Sequence, residues 1–346
     1  MKKRWIEWLF QPLAVLLALL FTTIILLIAG ANPFQAYGNI LSGAFVSLGK
    51  VSDSLVAWIP LLLATAGLLV TFSAGLWNIG IEGQITLGAI FTTWALRTLQ
   101  DTATPAALIL VLGFLAGMFG GALWAALVGL LKIYGGVSEI FGGLGMNFVS
   151  TALVIWLIFG PWKRPGVGSM SGTEPFDERL WLPMLPGLRL SLWALLIGIL
   201  AIAVIYFILQ GSYFGLRLKA VGKNPRAAAL MGMSPTLYGM AAFLICGALA
   251  GLAGATQVTG VYHRLIPAIS SGYGFLGLLV AMLVNYQAIW VAPIAFFFAA
   301  LNIGSIQLPI VLKLDSTLSG VLQGSLVLFV LLMDGVRRNL IKRRKE

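Results

Sequence analysis

Residues 265–312 read LIPAIS SGYGFLGLLV AMLVNYQAIW VAPIAFFFAA LNIGSIQLPI VL, 48 consecutive residues without a formal charge, bounded by Arg264 and Lys313. Soluble domains carry roughly one charged residue in four, so a stretch like this has no surface with which to meet water. It is long enough for two helices of about 20 apolar residues, the length that crosses a hydrocarbon core. The stretch between Arg226 and Arg264 is likewise uncharged apart from His263. The whole chain follows suit: of 346 residues, 60% are apolar and 10% charged, with a mean hydropathy of +0.99. In lipid, backbone groups are satisfied only within helices or closed barrels, and these runs lack strand alternation.

The sequence therefore predicts an all-α polytopic membrane protein with about ten transmembrane helices, near 12–30, 54–73, 83–97, 105–131, 145–160, 190–209, 236–260, 274–285, 287–304 and 316–333. The basic start and Ala29-Gly30-Ala31 resemble a signal peptide. The apolar run of about 18 residues is longer than such a peptide needs, so it reads as an uncleaved first span. A short interfacial helix is expected within 32–53.

Charge placement sets orientation. Lys2, Lys3 and Arg4 face only Glu7 at the start; Arg217, Lys219, Lys223 and Arg226 meet no acid in segment 210–235; the tail from Asp334 holds six basic and two acidic residues. Loop 161–189 is nearly balanced. By the positive-inside rule both termini and segment 210–235 are cytoplasmic, and 161–189 is an outer loop. Six spans before segment 210–235 and four after it fit that arrangement. The net charge of +11 is thus a topology signal, and no nucleic-acid partner is expected.

Function classes drop out quickly. One cysteine, Cys246, and one histidine, His263, leave no disulfide framework and no metal centre. No phosphate-binding Gly-x-x-x-x-Gly-Lys-Ser/Thr loop occurs, and no nucleophile–base pairing stands out. No catalytic residues, metal or cofactor are expected; the chain does not read as an enzyme. Gly113, Gly117 and Gly121 form one four-residue ridge, and Gly247, Gly251 and Ala255 another. Such ridges let helices approach closely in lipid.

Two helices read as interrupted. One break lies in Phe72-Ser73-Ala74-Gly75-Leu76-Trp77-Asn78-Ile79-Gly80-Ile81-Glu82-Gly83-Gln84, the other in Ile269-Ser270-Ser271-Gly272-Tyr273-Gly274-Phe275, leading into a short span ending at Asn285-Tyr286-Gln287. Non-helical backbone at membrane depth survives only inside protein or beside a water-filled cavity, and transporters place substrate sites at such breaks in corresponding halves. The breaks lead into spans three and eight, equivalent places in a 5+5 inverted repeat. Glu82 is the sharpest residue, because an intramembrane carboxylate costs about 2.5–3.5 kcal/mol and marks a site by default. It either lines a pathway or caps amides freed by a broken helix. Asn78, Gln84 and Asn147 divide between the same readings, as does Glu139 at the cytoplasmic edge. Trp77, Ser271 and Tyr273 are further pathway candidates. His263 beside Arg264 reads as a solvated pair in an outer loop, and Cys246 as an apolar filler.

In segment 210–235, Asn224-Pro225 is a helix start, Ala227 to Met231 continue a short helix, and Gly232 can end it. The result is a short alanine-faced helix between two spans, suited to a groove on another protein or to an anionic lipid surface.

At these residues the chain resembles the permease subunits of ABC importers for branched-chain amino acids, ribose-type simple sugars and nucleosides. Gly75-Leu76-Trp77-Asn78-Ile79-Gly80-Ile81-Glu82-Gly83-Gln84 is similar to the Asn-Ile-Gly-x-Glu-Gly-Gln pattern of the nucleoside and simple-sugar branch. Leu218 to Met233 resembles that family's coupling segment, and Gly272 to Met282 the Gly-rich start of its eighth span. Glu139 to Asn147, and Tyr262 to Pro267, depart from the family pattern.

The resemblance implies a type II importer permease fold, one permease domain over 1–346, in a bacterial cytoplasmic membrane. It implies two cytoplasmic ATPase subunits, an extracytoplasmic solute-binding protein or lipoprotein, and a second permease chain, identical or related. Substrate-pathway expectations are Trp77, Asn78, Glu82, Gln84, Asn147, Ser271 and Tyr273. ATPase-coupling expectations are Arg217, Lys219, Gly222, Asn224, Pro225, Ala227, Ala228, Leu230 and Met231. The expected cargo is a nucleoside or related small polar solute. The alternatives are a ribose-like sugar, or an ion-coupled secondary transporter using Glu82.

Overall fold

A computed structural model describes residues 2–166, 172–284, 287–315 and 317–343. Among the described residues there is no strand. The helices are α1 (Lys2–Ile28), α2 (Pro33–Phe45), α3 (Leu48–Ser73), α4 (Ile81–Leu99), α5 (Ala106–Ile133), α6 (Glu139–Phe159), α7 (Leu192–Gly211), α8 (Tyr213–Lys223), α9 (Pro225–Leu230), α10 (Pro235–Gln257), α11 (Tyr273–Leu283), α12 (Val291–Ser305), α13 (Gln307–Leu312) and α14 (Leu318–Arg343). A π-helical turn, Val258–Tyr262, extends α10. The expected short helix in 32–53 is α2, capped by Asn32 and bent 110° from the end of α1. Of the second break's expected continuation, Asn285 and Tyr286 lie outside the described residues, as does 167–171 of the outer loop.

Among the described residues six helices are long and apolar enough to cross a bilayer, or seven if the bent α1–α2 pair is one span. That is fewer than the ten expected from sequence. The shortfall has a physical source. α11 has 11 residues and the apolar part of α14 is Gly320–Met333. α4 carries Glu82, Arg97 and four threonines. It tolerates that composition because Ile81 to Ile90 is buried without interruption, so its partners are other helices and its apolar content need not match lipid.

The fold divides into two compact units, with boundaries inside α3 and α12: residues 1–54 with 296–346, and residues 55–295. In the first unit α1 packs along α14 and α2 against α13. There the Thr22 and Ser325 hydroxyls meet at 3.0 Å, and Gly43 abuts the Gly304 backbone.

In the second unit α4, α5 and α10 form the core. The glycine ridges lie where they touch: Gly117 and Gly121 of α5 meet Gly251 and Gly247 of α10, and Gly88 of α4 meets Gly251. No side chain separates these backbones, as small-residue packing in lipid requires. The Thr92 hydroxyl donates to Gly88 O (2.9 Å) and lies 3.1 Å from Gly113 O, tying α4 to α5. Residues 172–182 lie over the end of this core: Phe176 N donates to His263 O (2.9 Å) and Leu182 N to Thr259 O (3.0 Å). Trp181 stacks on His263 at 3.9 Å. The expected solvated histidine is therefore half-buried, held between an indole and the π-helical turn.

Candidate functional site

Both sequence breaks are breaks in the structure. α3 stops at Ser73, Gly75 takes a left-handed φ of 74°, and α4 starts only at Ile81. The second break ends with Ser271 and Gly272, both at positive φ (51° and 75°), before α11. A left-handed φ is unusual for serine, whereas glycine adopts it without a Cβ penalty.

The first break is closed by its own side chains. Asn78 and Gln84 form a reciprocal amide pair, Nδ2 to Oε1 and Nε2 to Oδ1, each 2.9 Å, and both residues are fully buried. The Asn78 amide also donates to Cys246 Sγ at 3.1 Å. Asn147 of α6 fastens the other side: its Oδ1 accepts from Gly83 N (2.8 Å) and its Nδ2 donates to Ile79 O (3.0 Å). Each contact satisfies a polar group that the break would otherwise leave unpaired in an apolar interior. Trp77 points outward, 38% exposed, with its ring edge-on to Phe72 at 5.2 Å.

Glu82 joins the two breaks. It is 7% exposed, and its Oε1 accepts from Phe275 N at 3.1 Å, in the first turn of α11. Gly274 makes the approach possible, since a Cβ there would stand 3.0 Å from Glu82 N and 3.2 Å from its carboxyl carbon. The carboxylate sits where the α11 macrodipole favours negative charge and an amide lacks a helical partner. Glu82 therefore caps a broken helix, but the one in the other half of the chain. Ser270 and Gly274 also face the carboxyl group, while its Oε2 makes no hydrogen bond of normal geometry.

Other expected residues fall as follows. Tyr273 is buried at the start of α11, and the Ser271 hydroxyl meets Tyr262 OH at 3.1 Å. Glu139 pairs with Lys132 at 2.6 Å. Trp124 of α5 was not legible as a site residue: its buried indole N–H has no hydrogen-bond partner and lies 2.7 Å from where a Gly83 Cβ would be. It is one of 11 tryptophans, and only packing separates it from the rest.

The coupling expectation falls on α8 and α9. Ser212 caps α8, its hydroxyl accepting from Gly215 N at 3.1 Å. Asn224 caps α9, accepting from Ala227 N at 3.0 Å, and Pro225 takes the first helical position. Lys219 ties α8 to the end of α7 through Leu209 O (2.5 Å), and Arg217 reaches Tyr238 OH (3.4 Å). Ala228 turns inward and is buried, so Ala227 and Leu230 of α9 face outward beside its C-cap Met231, the last two residues being 91% and 78% exposed. Gly222 faces inward to the first break, its missing Cβ filled by Ser73 O, with Ala74 C at 2.8 Å and Gly75 N at 2.9 Å.

Residues 50–331 match the family model described as "Branched-chain amino acid transport system / permease component". The chain belongs to this permease family. It is 30% identical to the glucose ABC transporter permease protein TsgB13 of Haloferax volcanii, covering 96% of this chain and 90% of that one. It is 28% identical to the guanosine ABC transporter permease protein NupP of Bacillus subtilis, over 100% and 99%. It is 26% identical to the nucleoside ABC transporter permease protein NupB of Lactococcus lactis, over 85% and 82%. An ABC permease is a membrane transport component, consistent with the six apolar helices.

Proposed function

We propose that the chain is the permease subunit of an ATP-driven importer and forms the path for a nucleoside or related small polar solute. The family match over 50–331 carries this reading, and the relatives named for guanosine and nucleosides support the nucleoside cargo. ATP is hydrolysed by two separate subunits on the cytoplasmic face, against which α9 and its C-cap present Leu230 and Met231. An extracytoplasmic binding protein or lipoprotein delivers the solute. A second permease chain, identical or related, completes the path. The whole chain acts as one permease domain in a bacterial cytoplasmic membrane, its termini and α8–α9 inside, with ten helices arranged as a 5+5 inverted repeat. Support for the repeat is the meeting of two broken helices through Glu82 and Phe275, the arrangement expected where substrate sites form in inverted repeats. Trp77, Glu82, Ser271 and Tyr273 border the solute path, while Asn78, Gln84 and Asn147 shape its wall.

A sugar cargo is the second reading, favoured by the 30% identity to the glucose permease. An ion-coupled mechanism through Glu82 has less support, because that carboxylate is engaged with α11. Uptake of radiolabelled guanosine, ribose and glucose by cells with and without the gene tests the cargo. Competition by nucleosides alone is the expected result, and sensitivity to ATP depletion but not to an uncoupler the expected energy source.

A further inference from the structure

Gly222 lies in the segment that the resemblance assigns to the ATPase, yet it faces the interior of this chain. Its backbone and the Ser73–Gly75 turn touch without an intervening side chain: a Cβ on Gly75 would stand 2.9 Å from Gly222 O and 3.2 Å from its Cα. A side chain at such a contact can change rotamer and absorb a displacement. Two bare backbones cannot, so any shift of α8 moves the turn. Gly75 is at φ 74°, a left-handed conformation that glycine adopts without a Cβ penalty.

From the turn the connections continue unbroken. Leu76 packs with the buried Ala125, Val128 and Phe243. Asn78 pairs with Gln84 across the break, Asn147 binds Ile79 and Gly83 where the break enters α4, and Glu82 reaches the first turn of α11. Coupling between distant sites travels through packed, hydrogen-bonded elements of this kind.

We propose that the backbone contact between Gly222 and the Ser73–Gly75 turn is the joint through which movement of residues 213–230 reaches both helix breaks. The proposal rests on the reading that this segment meets an ATPase, and it assigns Gly222 and Gly75 as positioning residues.

The chain carries its own reporter. Cys246 is its one cysteine, fully buried, with Asn78 donating to its sulfur, so displacement of the first break changes its reactivity. The experiment measures the rate at which a small methanethiosulfonate reagent labels Cys246 in inverted membrane vesicles holding the complete transporter, with and without Mg-ATP. Cys246→Ala serves as the blank. In the unaltered protein Mg-ATP should change the rate severalfold, because labelling of a buried thiol requires local opening and nucleotide shifts that opening. Gly222→Ala should abolish that response, and Gly211→Ala, at a site with no neighbour within 4 Å, should keep it. A purely structural role would shift the rate equally with and without nucleotide, leaving the ratio intact; that result overturns the joint. If the unaltered protein ignores Mg-ATP, the ATPase reading itself fails and the joint falls with it. Should Gly222→Ala not reach the membrane, Gly75→Asn loads the same contact with a residue that tolerates the left-handed backbone, and the same criterion applies.

Discussion

The two helix breaks solve one problem in different ways. The first, Ala74–Gly80, is flanked by amides that satisfy each other or its backbone: Asn78 with Gln84, Asn147 with Ile79 and Gly83. The second, ending at Ser271 and Gly272, keeps two positive φ angles and borrows its helix cap from Glu82, 193 residues away in sequence. A break held by neutral amides is cheap to bury once every donor and acceptor is paired. The second break has the Ser271–Tyr262 hydroxyl contact beside it, but the charge that caps its helix comes from one distant carboxylate. The two breaks therefore differ in how their polar groups are paired: the first by neutral amides close in space and sequence, the second by a carboxylate from the other break.

Removing Glu82 should break that contrast most severely. Glu82→Ala leaves the Phe275 amide uncapped and takes the anion from the α11 N-terminus, and charge-assisted bonds of this kind are worth about 1.5–3 kcal/mol. Uptake should fall by at least about tenfold while membrane insertion persists, and Glu82→Gln should fall between the two. Wild-type uptake by Glu82→Ala would remove the special status of the second break.

Next in size is the first break. Asn78→Leu strands the Gln84 amide in an apolar interior, at a cost of about 1–3 kcal/mol in the thermal stability of the purified chain. Combining it with Gln84→Leu should recover part of that loss, a coupling readable in a double-mutant cycle. Additive losses would mean the pair is not the unit that closes the break. Asn147→Ala loses two hydrogen bonds where the break meets α4 and leaves the buried Gly83 N–H and Ile79 O without their side-chain partner; about 1–2 kcal/mol is expected by the same measurement. Leu230→Glu, outside both breaks, should leave stability unchanged and abolish ATP-driven uptake, since it alters only an exposed face.

The smallest effect concerns pH. His263, at the entry to the second break, has its pKa lowered because burial between Trp181 and the π-helical turn disfavours the charged ring, while Thr259 O opposes the shift. The unfolded chain then binds the proton more readily, so stability should decline as pH falls through and below about 6.5. Replacing His263 with Gln should flatten that slope; an unchanged slope would place the titration elsewhere.

Much of this was legible in residue order. Gly75, Gly80 and Gly272 announced the breaks, Asn224-Pro225 announced α9, and the four-residue glycine ridges announced close helix packing without saying which helices meet. Asn78, Glu82 and Gln84 were singled out because polar side chains are rare at membrane depth. Their partners were not legible. Nothing local to Glu82 points to Phe275, nor to Gly222 its contact with Ser73. Ala228 and Leu230 look equivalent on a short helix until packing buries one and exposes the other.

Composition and the spacing of charges are properties of the chain alone, and they determined that this protein is a helical membrane protein with two interrupted helices. Which break caps which helix, and which glycines touch, was decided by the tertiary structure. Hydrophobicity acts on each residue separately, whereas a hydrogen bond or a backbone contact needs two groups brought together from distant parts of the chain.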